Sequence, residues 1–254
     1  KNKHCIGSEI CTNLDTSHED YRKLLKEIRS IPGVKKVFVR SGLRYDYVLA
    51  DHNKKFVEEL CQYHVSGQLK VAPEHVVKHV TDLMGKADVH AFLKFKDWFD
   101  EANRKLGKKQ YLVPYFMSSH PGCTLDDAIA LAEFLRDMHM QPEQVQDFIP
   151  TPGSLSTAMY YTGMNPLTGE PVYVARRPEE KQMQRALMQY KNPANYDIVY
   201  KALCLAGRRD LIGFGPKCLI VPRNIRKERG RQHAASRHHA PCRRPGKTSQ
   251  RGPV

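Results

Sequence analysis

Four short apolar segments recur along the chain, and each closes in a polar turn. They are Val37-Phe38-Val39-Arg40-Ser41-Gly42, Leu69-Lys70-Val71-Ala72-Pro73-Glu74-His75, Tyr111-Leu112-Val113-Pro114-Tyr115-Phe116 running into Ser118-Ser119-His120-Pro121-Gly122, and Val145-Gln146-Asp147-Phe148-Ile149-Pro150-Thr151-Pro152. Their centres lie about 33 to 42 residues apart with helical patterns between them, the rhythm of βα units around a parallel sheet or barrel. An α/β fold follows, with ligands expected at the carboxyl ends of the strands, where the polar turns sit. A complete (β/α)₈ barrel needs roughly 200 to 250 residues. Only four strand candidates precede residue 153.

Helix signals punctuate the gaps. Tyr21, Leu24, Leu25 and Ile28 share a helical face ended by Pro32-Gly33, and the first strand is expected from Val34 to Val39. Helices are expected at 54–64, near 76–84 and over 89–106, the last with Phe92, Phe95, Phe99 and Ala102 on one face and Gly107 as its stop. Thr124 and Asp127 resemble a capping box opening a helix to about His139. Residues 153–175, rich in Gly, Pro, Thr and Tyr, predict an extended segment or hairpin, followed by helices at 179–190 and 196–206. The chain thus divides into a cysteine-bearing lead-in (1–15), βα units (16–152), a small, mostly helical module (153–222) and a tail (223–254).

The net charge of +14 is concentrated in that tail, where ten Lys and Arg face one acid, Glu228. With almost no large apolar residues the tail is expected to be disordered, a solvated segment capable of nonspecific phosphate contacts with nucleic acid. No apolar run approaches the ~18 residues of a membrane span. No export signal follows the opening Lys-Asn-Lys-His, so a soluble, cytoplasmic protein, part of a longer one, is expected. Seven cysteines without a C-x-x-C pair argue against a disulfide framework or a zinc ribbon. No dinucleotide fingerprint, P-loop, nucleophile elbow or zincin motif occurs.

The strand-end turns hold the candidate site residues. Ser119-His120-Pro121-Gly122 is either an anion-binding turn at a helix N-terminus or an ordinary tight βα turn. Glu74 either accepts hydrogen bonds from ribose hydroxyls or an ammonium group, or caps a helix. Arg44 either neutralises a carboxylate or phosphate, or pairs with a neighbouring acid. Cys5 and Cys11, in a C-x₅-C spacing, match no strong zinc signature.

Together these turns resemble a known family. Ala72-Pro73-Glu74-His75, Leu83-Met84-Gly85-Lys86 and Tyr115 through Gly122 with Asp126-Asp127 are similar to the later half of a radical S-adenosylmethionine (SAM) enzyme core. Ser41-Gly42-Leu43-Arg44-Tyr45-Asp46, Gln110 through Phe116, Gln144 through Pro152, Ala158-Met159-Tyr160, Gly163 through Leu167 and Asp210 through Gly213 resemble the YgiQ-type (UPF0313) family within it. The resemblance spans about residues 4 to 222. It implies the C-terminal part of a partial (β/α)₆ TIM-like barrel that holds a [4Fe–4S] cluster and SAM, cleaved reductively to a 5′-deoxyadenosyl radical acting on a substrate the residues do not specify. It implies that Arg44, Glu74, Ser118, Ser119, His120, Gly122, Gln146 and Thr151 line the cofactor. The family's C-x₃-C-x₂-C cluster loop has no counterpart here, so this chain alone is expected to be inactive. Cys5 and Cys11 match a second cysteine-bearing insert of the family, a candidate auxiliary ligand pair.

Overall fold

The computed structural model of the protein describes residues 7, 10–40, 42–51, 53–142 and 145–223. Cys5, Ser41, Gln144 and the basic tail from residue 224 lie outside them. The chain divides into two units, Lys1–Ile220 and Val221–Val254, the second described only at residues 221–223.

The fold is α/β. Three parallel strands, β1 (Gln68–Glu74), β2 (Tyr111–Ser118) and β3 (Gln146–Asp147), pair in the order β1-β2-β3. β1 and β2 run in register from Gln68 opposite Tyr111 to Val71 opposite Pro114. The register then slips, so that Glu74 faces Phe116. Helices α1 (Glu19–Ser30), α2 (Tyr45–Ala50) and α3 (Lys55–Glu59), the last running into a π-helical turn at Leu60–His64, precede β1. Helices α4 (Lys78–Met84) and α5 (Val89–Leu106) connect β1 to β2, and α6 (Leu125–Asp137) connects β2 to β3. Helices α7 (Leu155–Thr162), α8 (Pro178–Met188) and α9 (Tyr196–Leu205) follow.

The helix ends follow local chemistry. The Asp88 side chain accepts the His90 N–H at the start of α5, and Gly107 ends it at φ +62°. Thr124 and Asp127 form a reciprocal capping box on α6. Phe92, Phe95 and Phe99 of α5 are fully buried with Leu69 and Val71 of β1 and Phe56 and Leu60. Each such burial contributes about 1.5–3 kcal/mol. A second core joins α6, α8 and α9 through Ile129, Leu187, Val199 and Leu203, and Phe116 of β2 packs with Leu131, Leu135 and Met188.

Three expectations are corrected. Residues 34–39 form no strand. The Val39 N–H reaches the His64 carbonyl and the Arg40 carbonyl accepts the Lys70 N–H, but no ladder forms. The fourth apolar segment yields only the two residues of β3, because Pro150 and Pro152 carry no N–H to extend a ladder. Residues 153–175 are not wholly extended: α7 occupies 155–162, ahead of the antiparallel bridge between Met164 and Pro171.

Candidate functional site

β1 alternates sharply, with Leu69 and Val71 buried and Gln68 and Lys70 exposed. One face of the sheet therefore packs on helices, and against the other lies a cavity of about 780 Å³. Its lining includes Lys70, Ala72, Val113, Tyr115, Arg44 and Lys86.

Of the expected site residues Arg44 lines this cavity, while Glu74 and Gln146 bind two residues that line it, Lys86 and Tyr115. Arg44 lines it and grips Asp46 through two nitrogens, Nε at 2.9 Å and an Nη at 2.6 Å. That hydrogen bonding raises the guanidinium pKa further, against the lowering by burial. Of the two readings of Arg44, the structure shows pairing with a neighbouring acid. Glu74 binds Lys86 Nζ at 2.9 Å, and its charge helps raise the Tyr115 and Tyr45 phenols, both pushed up mainly by burial. Glu74 caps no helix: α4 begins after Val77 without a side-chain cap. Gln146 Oε1 accepts from the Tyr115 hydroxyl.

Ser118, Ser119, His120 and Gly122 are placed elsewhere, in a seam beneath residues 147–184. The Ser118 hydroxyl donates to Asp147 Oδ1 at 2.5 Å, and Asp147 pairs with Arg185. The Ser119 N–H donates to Gln184 Oε1 at 3.0 Å, while Gln184 Nε2 donates to the Cys123 carbonyl at 3.0 Å. The Gly122 N–H goes to the Tyr173 carbonyl at 2.7 Å. Cys123 N–H bonds the His120 carbonyl and Thr124 N–H bonds Asp127, so these amides before α6 are already satisfied rather than open to an anion. Thr151 is exposed, its carbonyl accepting from Ser154 and Thr157.

The seam holds two histidines, the expected site residue His120 and His75, which was not among the expected site residues. His75 is 1% exposed, and burial depresses its pKa to about 4. Its Nδ1 accepts the Val77 N–H, which leaves Nε2 carrying the proton 3.5 Å from Cys123 Sγ. Desolvation pushes the Cys123 thiol strongly upward, so this pair is neutral. His120 is 3% exposed and likewise held near 4 by burial. Both follow an apolar strand by one or two residues, the only signal of their burial in the sequence.

Comparison with known proteins places the chain. It is 59% identical over 224 residues to the UPF0313 protein CPE1196 of Clostridium perfringens, covering 88% of this chain and 34% of that protein. It is 55% identical over 222 residues to a UPF0313 protein of Methanocella arvoryzae, covering 87% of this chain and 37% of the relative. The chain belongs to the UPF0313 family. It spans about a third of the length of the curated relatives it matches. Residues 143–252 match a family model described as a domain of unknown function, DUF3362. In this UPF0313 chain, the residues that cover the strand-end turns therefore fall inside the DUF3362 match. Among the described residues, no helix is long and apolar enough to cross a membrane.

Proposed function

We infer that this chain supplies the later βα units of a SAM-binding, partial (β/α)₆ TIM-like barrel in a radical SAM enzyme. The observation that carries the reading is one cavity beside the exposed face of the sheet, lined by Arg44, by Lys86, which pairs with Glu74, and by Tyr115, which bonds Gln146. In this reading Arg44 and Glu74 exchange their present partners, Asp46 and Lys86, for the carboxylate and ammonium groups that SAM bears. In this reading the buried Ser118–Gly122 turn holds the strand end that shapes the cavity.

The described residues do not fit a [4Fe–4S] cluster. None of them forms a group of three or more His, Cys, Asp or Glu placed to hold a metal. Cys61 and Cys123 are buried, with thiols raised by desolvation, Cys61 to about 12, the reverse of what a thiolate ligand needs. The cluster's ligands are therefore assigned to sequence outside the described residues.

The test is anaerobic reconstitution with iron and sulfide under reduction. The longer Clostridium perfringens relative is expected to take up about four irons and release 5′-deoxyadenosine from SAM, and this chain alone to do neither. Changing the relative's residue that matches Glu74 to Gln is expected to cut 5′-deoxyadenosine release about tenfold or more, the loss of one charge-assisted contact of about 1.5–3 kcal/mol. A relative with neither cluster absorbance nor product refutes the reading.

A further inference from the structure

His120 has a partner that the barrel reading does not use. Its Nδ1 lies 2.7 Å from the Pro121 carbonyl, which only accepts, so Nδ1 carries the proton and Nε2 presents a lone pair. Ser156 Oγ lies 2.8 Å from that Nε2. Burial holds the imidazole neutral at pH 7, so the Nε2 lone pair is present to accept from the Ser156 hydroxyl. The backbone carbonyl orients the base, and the base holds the hydroxyl, which is the logic of an activated serine.

The surroundings add to the pair. Ser156 is half-buried and second in α7, and the Ser154 side chain caps that helix by accepting the Thr157 N–H. The N–H groups of Leu155 and Ser156 make no hydrogen bond among the described residues, as the first amides of a helix do. One turn along α7, the Tyr160 ring lies under Arg176 and Lys181, at 5.6 and 4.9 Å. Phe148 packs between His120 and Tyr160, at 5.1 and 5.7 Å. The face beside Ser156 is thus aromatic and cationic.

We propose that Ser156 is a nucleophile, with His120 as its general base, that accepts the acyl group of a carboxylic ester bearing an aromatic or anionic part. Ser156 Oγ bonds to the ester carbonyl carbon as its proton passes to His120 Nε2. The C–O bond to the alcohol then breaks, and the leaving oxygen takes that proton. Water, deprotonated by the same nitrogen, releases the acid and restores the serine. This site is independent of SAM chemistry and of the cavity.

The test incubates the full chain with a fluorophosphonate, which phosphonylates an activated serine with loss of fluoride, and locates the adduct by peptide mass spectrometry. A single adduct on Ser156 is expected, together with hydrolysis of p-nitrophenyl acetate, both absent in Ser156→Ala. His120→Gln is expected to slow labelling by about a hundredfold or more, the usual contribution of a positioned base. Ser156→Cys provides a second measure that leaves the histidine in place. The thiol it introduces is expected to be alkylated by iodoacetamide at pH 6 at least about tenfold faster than the half-buried Cys204 and Cys218 of the same chain, since the neighbouring imidazole takes the thiol proton as the sulfur attacks. Three results overturn the proposal: no adduct at Ser156, labelling at the same rate in His120→Gln, or alkylation of the introduced thiol in Ser156→Cys no faster than that of Cys204.

Discussion

Gly122 is the residue at which the turn after β2 has least freedom. Its φ is +92°, and a Cβ there would stand 2.3 Å from Leu83 Cδ1 of α4. An L side chain in this region bears about 1–2 kcal/mol of backbone strain, and displacing a packed leucine adds about 1–3 kcal/mol. Gly122→Ala is therefore expected to lower the unfolding free energy by about 2–4 kcal/mol in urea titration. Gly33→Ala is the control, since Gly33 has a similar φ of +89° but nothing within 4 Å of its Cβ. If the two variants lose the same amount, close approach of α4 to the turn contributes nothing. Strain recurs nearby on residues other than glycine. Glu74 and Ser119, at the ends of β1 and β2, hold φ values of +64° and +59°. Each precedes one of the buried histidines, so the turns that orient His75 and His120 both carry a non-glycine residue in the left-handed region.

Helix α8 ties the end of β2 to the rest of the fold through one fully buried side chain. Gln184 accepts from the Ser119 N–H and donates to the Cys123 carbonyl. Gln184→Leu preserves the apolar contacts of α8 but strands two buried backbone groups, each costing about 1–3 kcal/mol. A loss of about 2–5 kcal/mol is expected, with faster hydrogen exchange at the Ser119 amide. An unchanged amide and midpoint would show that α8 is held by its apolar face alone. Elements like these differ in how far the sequence discloses them. α5 and α6 are legible because their caps are local: Asp88 with Gly107, and Thr124 with Asp127. β1 and β2 are legible because their apolar runs are unbroken around one partner pairing. The segment at 34–39 has the same composition, yet among the described residues the backbone bond to β1 is made just beyond it, at Arg40, and strand formation depends on a neighbour the sequence does not display. α7 hides between Pro152-Gly153 and Gly163, where turn residues outweigh a short helical pattern, although Ser154 caps it in the ordinary way. The cavity was partly legible, since Arg44, which lines it, follows the first apolar segment and Glu74, which pairs with the lining Lys86, ends β1. The seam was not, because its covering residues, Ser156, Tyr173 and Gln184, lie 36 or more residues from what they cover.

At the scale of the molecule, covering both strand ends links stability to pH. His75 and His120 have pKa values near 4 because burial disfavours their charged form, against about 6.5 when exposed. The unfolded chain takes up a proton on each ring near pH 6.5, whereas the folded chain resists until near pH 4. Between those limits the unfolded state binds more protons, so stability falls as pH falls. The contribution is complete above about pH 6.5, shrinks through that window and is flat below about pH 4. Its slope approaches about 1.4 kcal/mol per pH unit for each ring. Urea midpoints at about pH 7.5, 6.0 and 5.0 are expected to drop steadily, and a midpoint constant over that range would contradict the burial. Asp127 opposes the shift of His75, to which His120 and His79 add a smaller push in the same direction, while the Pro121 carbonyl and Glu74 oppose that of His120. His75→Phe, which keeps an apolar ring and removes the titration, is expected to halve the slope. The half that remains belongs to His120 and reports directly on whether residues 147–184 stay closed over the end of β2.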